Sequence, residues 1–279
     1  MFSGPRPPPG VSTGKQASER ITVTPEQWAA AKADLEAGKG TELASKFLAA
    51  YSSSALAVNA FAPLDGRVPL PDGTVVVGET RFERERSAWA RGYKPALDVI
   101  VDRAGAPVRL LVESKCVEYL RPADTAFSPA FPAKAAEYLE PCAAAVFDEV
   151  FADRYAYDPL DAPQLLKHFL AAKRVTVEES CRTILLCVWW QPADAAAYPV
   201  FDAHAQAAAR LAAALADANV TMLCATTSRC GRTGTTSATL CCANTSRTCA
   251  RATTFRSRAE RRAPRQSRRR SPGVFCRSL

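Results

Sequence analysis

The sequence predicts an α/β (α+β) fold, with a central mixed β-sheet flanked by helices. Two apolar runs, 97–101 and 110–115, are rich in β-branched residues and are joined by a short turn, which predicts a β-hairpin. A continuous apolar run over 183–190 predicts a strand buried on both faces. Helical patterns before and after these strands supply the layers that cover the sheet.

The first segment of the chain is not predicted to form a helix or a strand. Residues 1–22 are rich in Pro, Gly and Ser, so we predict a disordered segment there. Thr24 and Gln27 form a capping-box pattern with Pro25 between them, which predicts a helix ending near Gly38. Further elements are expected as a helical segment from Thr41 that is interrupted at 52–54, a short helix over 55–61, and strands over 74–77 and 80–86.

The predicted domain, residues 23–225, continues after the hairpin with helices and two more strands. Asp161 and Gln164 open a helix that is expected to run through Lys173. The other expected elements are a helix over 133–151 bent near Pro141, the strand over 183–190, an Ala-rich helix over 203–218 and a strand starting at 220–224.

Beyond Met222 the composition changes abruptly to Arg, Thr, Ser and Cys, and we predict a disordered tail over 226–279. Residues 221–279 carry a charge of +12, so residues 1–220 carry −4 although the whole chain carries +8. One interpretation is an Arg-rich tail that binds nucleic acid by counterion release. The other, which we favour, is translation out of frame from a GC-rich gene.

Several classes of protein are disfavoured by the sequence. The ten cysteines form no CxxC pair and only two histidines are present, so the ligand spacing of a zinc module is missing. The chain has no Gly-x-Ser-x-Gly, P-loop or dinucleotide-binding motif. No segment has the length and apolarity of a membrane span, and no signal-peptide pattern opens the chain, so we expect a cytoplasmic protein.

The hairpin carries the charged residues of greatest interest. If Gly105 and Ala106 form its turn, Asp98 lies across the ladder from Glu113, and Lys115 shares their face. Five apolar residues should point to the other face: Leu97, Val99, Val101, Leu110 and Val112. Two carboxylates on an apolar sheet need compensation, which a divalent cation supplies. The alternative is an ordinary salt bridge on a solvated edge strand.

At these residues the chain resembles the PD-(D/E)XK nuclease superfamily, in particular a bacterial restriction-endonuclease-like branch. The resemblance rests on Leu97–Val101 with Asp98, and on Glu113-Ser114-Lys115 with the following Cys116–Tyr119. The expected Pro stands three residues before Asp98 instead of beside it. The resemblance implies a restriction-endonuclease-like core and a DNA endonuclease of restriction or defence type, with DNA as its partner and a homodimer as one state.

The resemblance also implies roles for single residues. Asp98, Glu113 and Lys115 would be catalytic, and Asp98, Glu113 and the Ser114 carbonyl would bind Mg²⁺, with Mn²⁺ as a substitute. Lys115 would orient the attacking water and stabilise the transition-state charge. The alternative function is a weak or inactive nuclease-fold protein that only binds nucleic acid or a partner.

Further residues are candidates for supporting or substrate contacts. Glu83 is preferred over Glu85 as an additional carboxylate, although both equally fit an exposed charged strand. Glu118 follows the motif and fits either a supporting hydrogen bond or a solvated position. Three polar residues share one helical stripe: Gln164, Lys167 and His168. Lys167 or His168 would contact a DNA phosphate, or else Gln164 caps the helix and His168 lies on the surface.

Overall fold

A six-stranded sheet forms the centre of the protein in the computed structural model. The structure describes residues 21–38, 43, 47–49, 51–86, 88, 94–120, 127–128, 131, 135, 137, 139, 141–192, 194–229 and 238–242. Two short strands, β1 (Arg67–Pro69) and β2 (Val75–Val77), precede it and form a separate antiparallel ribbon. The strands of the sheet are β3 (Glu79–Glu85), β4 (Ala96–Asp102), β5 (Val108–Lys115), β6 (Arg182–Trp190), β7 (Val220–Arg229) and β8 (Ala238–Cys242).

The α-helices whose bounds are described cover both faces of this sheet. They are α1 (Pro25–Ala37), α2 (Ser53–Phe61), α3 (Pro141–Ala152), α4 (Ala162–Glu179) and α5 (Pro199–Ala214). Short 3-10 turns occupy Ala62–Leu64, Glu118–Leu120 and Ala195–Ala197. The predicted α/β fold, a mixed sheet flanked by helices, is therefore confirmed.

The sheet is antiparallel at both ends and parallel in its middle. Strands β3, β4 and β5 pair antiparallel, β5, β6 and β7 pair parallel, and β8 pairs antiparallel with β7. Parallel neighbours need a long crossover. Helices α3 and α4 provide it between β5 and β6, and α5 provides it between β6 and β7. Because β5 has partners on both sides, the alternative of a solvated edge strand is wrong.

Each face of the sheet packs into its own apolar core. Helices α1 and α2 contribute to one core, which includes Leu35, Phe61 and Val112. Helices α3, α4 and α5 contribute to the other core, which includes Phe169 and Leu111. Alternating side chains of β5 therefore enter opposite cores, as the period of two in a strand requires.

The local signals for helix starts are confirmed in detail. Thr24 Oγ1 accepts the Gln27 N–H, and the Gln27 side chain accepts the Thr24 N–H, which is the predicted capping box. Asp161 caps α4 by accepting the Gln164 N–H at 3.1 Å. Helix α4 runs beyond the expected end at Lys173, because no Gly or Pro interrupts it before Ser180, whose φ is +50°.

Other boundaries differ from the expected ones. Helix α5 begins at Pro199 instead of residue 203, since proline is well suited to the first helical turn. Helix α3 begins at Pro141, and much of the predicted segment before it lies outside the described residues. Strand β1 was not predicted, because its three residues are too short to show a pattern.

The C-terminal strands correct one prediction. Strand β7 continues to Arg229, so the predicted domain end at residue 225 falls inside it. We expected no packed element beyond about Thr226, but β8 pairs with β7 from Ala225–Cys242 to Arg229–Ala238. The prediction assumed that a packed element needs an apolar face to bury, whereas a strand added at the edge of a sheet is held by main-chain hydrogen bonds. Residues 1–20, 230–237 and 243–279 of the predicted disordered segments lie outside the described residues.

Within the described ranges, no helix combines the length and apolarity that crossing a membrane requires.

Candidate active site

Strands β4 and β5 separate at the end that carries the charged residues. Their ladder pairs Val101 with Leu110 and Val99 with Val112, and no pair is recorded beyond Val99. This register centres the turn on 105–106, as predicted, and places Asp98 opposite Glu113. The Ser114 N–H donates to Asp98 Oδ2 at 2.6 Å instead of to a main-chain carbonyl of β4. A carboxylate thus enters the opening between β4 and β5.

Glu113 and Lys115 meet on one face of β5, as two residues one position apart in a strand must. Lys115 Nζ lies 2.7 Å from Glu113 Oε1, and the Glu113 side chain is only 4% exposed. Asp98 on β4 lies close enough for the charges of Glu113 and Lys115 to change its pKa, so the three side chains converge as predicted. This pair is buried and central, unlike the exposed pairs that contribute little to a protein.

Helix α4 adds two contacts to this pair. Gln164 Oε1 accepts a hydrogen bond from Lys115 Nζ at 2.7 Å. His168 Nε2 lies 3.1 Å from Glu113 Oε2, and the His168 side chain is 1% exposed. Neither Nε2 nor Nδ1 of His168 meets the geometry of a hydrogen bond with a described residue, so the contact with Glu113 is one of close approach. The predicted surface position of His168 is wrong, because the α4 stripe faces the sheet. Its predicted contact with a DNA phosphate stays a prediction.

The charges in the site are unequally compensated. Burial raises the pKa of Asp98 well above its usual value, and the nearby carboxylates of Glu113 and Glu83 raise it further. Burial would also raise the pKa of Glu113, but Lys115 and His168 outweigh it and lower that pKa to about 2. Lys115 has a raised pKa, because Glu113 and Asp98 outweigh its burial. Asp98 is therefore the carboxylate whose negative charge lacks an adequate partner.

Glu83 lies across from Asp98 in an unusual backbone conformation. Its φ is +49°, and the β3–β4 pairs on either side, Phe82–Val99 and Arg84–Leu97, continue in the same register. Ser54 Oγ on α2 donates to Glu83 Oε1 at 3.0 Å. A non-glycine residue in this region costs on the order of 1–3 kcal/mol and persists only where its surroundings hold it. Glu83 thus joins the acidic cluster, whereas Glu85 pairs with Ala96 farther along.

The side chains around this point do not keep a simple alternation. Val99, Val101, Leu110 and Val112 share one core as predicted, but Leu97 packs in the opposite core with Ile100 and Leu111. The prediction was wrong for Leu97, because the regular pairing of β4 with both neighbours is interrupted at Asp98.

The remaining candidate side chains are not part of the Asp98–Glu113–Lys115 cluster. Two of them make hydrogen bonds that stabilise the backbone around it. Lys167 is 9% exposed, with Nζ 5.7 Å from the centre of the Phe127 ring, and its predicted contact with a DNA phosphate stays a prediction. Glu118 accepts the main-chain N–H groups of Cys116 and Val117 at 2.6 and 2.9 Å and shapes the turn after β5. Ser114 Oγ donates to the Ser53 carbonyl at 2.9 Å, which ties β5 to the start of α2.

The contribution of α2 to the site was not predicted from the sequence. The serines at 52–54 were expected only to interrupt a helix, yet Ser52 caps α2 and Ser54 holds Glu83. The cap had a local signal, a serine before an apolar run. The partner of Ser54 had none, because Glu83 is 29 positions away.

The fold and this Asp…Glu-x-Lys arrangement define a restriction-endonuclease-like protein. The family described as Restriction Endonuclease associating with ARP matches residues 7–222, and the chain belongs to that family. The family description places the chain among nucleases of restriction or defence type, whose substrate is DNA. No curated protein and no solved structure matches the chain.

Proposed function

We propose that this protein is a metal-dependent DNA endonuclease that hydrolyses phosphodiester bonds, with Mg²⁺ as its cofactor and Mn²⁺ as a substitute. The observation that carries the proposal is geometric: the buried Asp98 carboxylate, which accepts the Ser114 N–H, lies beside the Glu113–Lys115 pair, and burial with the nearby acids raises its pKa. Like-charged carboxylates in one site repel one another, and a bound divalent cation removes that repulsion. A merely structural ion pair has no need of a second, unneutralised acid.

The donor set fits a hard divalent cation. Asp98 and Glu113 would each offer carboxylate oxygens, which Mg²⁺ prefers. The Ser114 N–H points toward β4. Because the carbonyl of a strand residue points to the same side as its N–H, the Ser114 carbonyl would also face β4 and serve as the third ligand from the chain. Across the described ranges, no three His, Cys, Asp or Glu side chains form a metal-binding group, so water and phosphate oxygens would complete the coordination.

The chain's own groups have distinct parts in the proposed reaction. A bound Mg²⁺ would polarise the phosphoryl group and lower the pKa of a coordinated water. Lys115 stays protonated because Glu113 and Asp98 raise its pKa, so its Nζ can donate toward the charge that develops in the transition state. Gln164 accepts a hydrogen bond from Lys115 Nζ, and this bond holds the ammonium group beside Glu113 before the reaction begins.

One observation favours the alternative of a protein that only binds nucleic acid or a partner. Both oxygens of Glu113 already have close partners, Lys115 at 2.7 Å and His168 at 3.1 Å. If these contacts never yield to a cation, the site is an internal ion pair inside a nuclease fold. Metal titration therefore separates the two functions.

The test is DNA cleavage by the full chain with Mg²⁺, Mn²⁺, Ca²⁺ or EDTA. We expect cleavage with Mg²⁺ and Mn²⁺ only, since Ca²⁺ binds oxygen ligands but is the weaker Lewis acid. Asp98→Asn and Glu113→Gln should each abolish cleavage. The matched control is Glu79→Gln, which neutralises an acid on β3 whose side chain is 65% exposed.

Two outcomes would contradict the proposal. Cleavage that persists in both Asp98→Asn and Glu113→Gln would identify a contaminating nuclease. A folded wild-type protein that binds DNA but cleaves neither single-stranded nor double-stranded DNA would establish the binding-only alternative.

A further inference from the structure

Helix α4 presents two polar side chains, one turn apart, to the Glu113–Lys115 pair. Gln164 accepts from Lys115 Nζ at 2.7 Å, and His168 Nε2 lies 3.1 Å from Glu113 Oε2. Residues four positions apart lie on the same side of a helix, so one face of α4 contacts both members of the pair. Glu113 Oε1 faces Lys115 and Oε2 faces His168, so each carboxylate oxygen has a different neighbour.

Neither α4 residue is placed to bind DNA. The His168 side chain is only 1% exposed, and its one carboxylate neighbour among the described residues is Glu113. Gln164 is half-buried, and its carbonyl oxygen is already used by Lys115. A substrate contact would require exposure that His168 lacks and would compete with the bond that Gln164 makes.

We propose that Gln164 and His168 are positioning residues, through which α4 sets the direction of Lys115 Nζ and fixes the carboxylate plane of Glu113. This inference rests on the proposed function of Glu113 and Lys115. A lysine side chain has many rotamers, and an acceptor at its tip selects one of them. A carboxylate with different partners on its two oxygens cannot rotate without losing one of them.

The position of α4 itself is well determined. Its first turn is fixed by Asp161, which accepts the Gln164 N–H at 3.1 Å. Its apolar side packs in the core with Leu165, Leu166 and Phe169. The two contacts therefore come from a rigid element, which is how precise geometry is maintained in a site.

The contact between His168 and Glu113 can be tested without metal or DNA. The chain has two histidines, His168 and His204, so the imidazole ¹⁵N spectrum contains two side chains. We expect Glu113→Gln to shift the His168 imidazole resonances and to leave those of His204, which packs against Trp189, nearly unchanged. Unchanged His168 resonances in the folded variant would overturn the role of His168.

A second experiment separates positioning from substrate binding and from simple stability. We expect His168→Ala to weaken Ca²⁺ binding, measured by calorimetry without DNA, and to lower kcat by about 10–100-fold, the usual effect of removing a residue that orients a metal ligand. His168→Gln should recover part of both, since a glutamine N–H can reach Glu113. Gln164→Met removes the acceptor at nearly constant volume and should lower kcat with Ca²⁺ binding kept.

Matched controls exclude a general loss of folding. Gln206→Met makes the same change on the exposed surface of α5 and should have no effect. His204→Ala removes the other buried histidine and should lower Tm while Ca²⁺ affinity stays at the wild-type level. A raised KM for DNA with kcat unchanged, or wild-type kcat and Ca²⁺ affinity in both α4 variants, would overturn the proposal.

Failure of the proposed function gives a different pattern. If wild-type protein does not cleave DNA, but His168→Ala weakens Ca²⁺ binding and Glu113→Gln shifts the His168 resonances, nuclease activity is excluded and positioning is supported. If wild-type protein binds no Ca²⁺, the imidazole spectrum alone decides the role of His168.

Discussion

Asp98 Oδ2 accepts the Ser114 main-chain N–H at 2.6 Å, so a side-chain carboxylate takes the place of a main-chain acceptor between β4 and β5. This contact satisfies a buried main-chain donor and at the same time brings a negative charge into the sheet. The main-chain bond favours that arrangement, whereas burial and the neighbouring acids oppose the charge.

Neutralising Asp98 should stabilise the metal-free protein. Because its pKa is raised, the folded state binds more protons than the unfolded state between the usual and the raised value, so stability falls as pH rises through that window. Asp98→Asn keeps an oxygen acceptor for Ser114 and removes the charge. In EDTA at neutral pH we expect Tm to rise by roughly 2–4 °C, as for about 1 kcal/mol in a domain of this size.

Calorimetry over a pH series checks this prediction. The gain should shrink as pH falls through about 4 and vanish below about pH 3, where the carboxyl group is protonated in both states. Asp72→Asn is the matched control, since Asp72 is exposed and also accepts a main-chain N–H, that of Thr74 at 2.9 Å. An Asp98→Asn protein that melts no higher than wild type at neutral pH would mean that the charge is already compensated.

Neutralising Glu113 should have the opposite effect on stability. Its pKa is lowered to about 2, so its contribution to stability is present above the usual value and is lost as pH falls through 4.5 toward 2. Glu113→Gln leaves Lys115 buried without its anion. Breaking one partner of such a pair costs about 3–5 kcal/mol, and some exposure of Lys115 places the expected loss near the lower end.

Urea unfolding at neutral pH measures this loss, with Glu79→Gln as the exposed control. Opposite signs for Asp98→Asn and Glu113→Gln are the diagnostic result. Equal signs would contradict the assignment of the two carboxylates to different electrostatic states.

Replacing Lys115 should separate metal binding from turnover. Lys115→Met keeps the length of the side chain and removes the charge, so the carboxylates still attract Ca²⁺ while the transition state loses its cationic donor. Loss of such a group lowers kcat by about 10²–10⁴-fold. Single-turnover kinetics and Ca²⁺ calorimetry measure the two properties, with Lys32→Met as the control, since the Lys32 side chain on α1 is exposed. Loss of Ca²⁺ binding in Lys115→Met would contradict this division of roles.

The backbone at Glu83 should prefer glycine to a β-branched residue. A φ of +49° is accessible to glycine without strain, whereas valine is strongly disfavoured there. We expect Glu83→Val to lower the free energy of unfolding by at least about 1 kcal/mol more than Glu83→Gly. At Glu85, which lies on the same strand with an ordinary φ, the order of the two substitutions should be reversed. The same order at both positions would contradict the left-handed conformation of Glu83.

The parts of the site that the sequence predicted are those determined by neighbours along the chain. The turn at 105–106 and the period of two place Asp98, Glu113 and Lys115 together, and Asp161 marks the start of α4. These signals depend on a few consecutive residues and on hydrogen bonds that are local in sequence.

The parts that could not be predicted depend on contacts between distant segments. The bond between Ser114 and Ser53 spans 61 positions, and that between Ser54 and Glu83 spans 29. The left-handed φ of Glu83 and the position of Leu97 follow from how three strands and α2 meet, which no local pattern encodes. Likewise, the stripe of α4 was identified, but which side of it faces the sheet was decided by packing.

The contacts around Lys115 differ in the sequence separation of the residues that make them. Asp98, Glu113 and Lys115 belong to one hairpin, whereas Gln164 reaches Lys115 across 49 positions. Closing a longer loop costs more entropy, so local pairing precedes docking of a distant helix. We therefore expect the hairpin to bring the charged residues together during folding before α4 packs and orients them. An incompletely folded chain carries the reactive groups without the geometry, and activity is expected only in the last state reached.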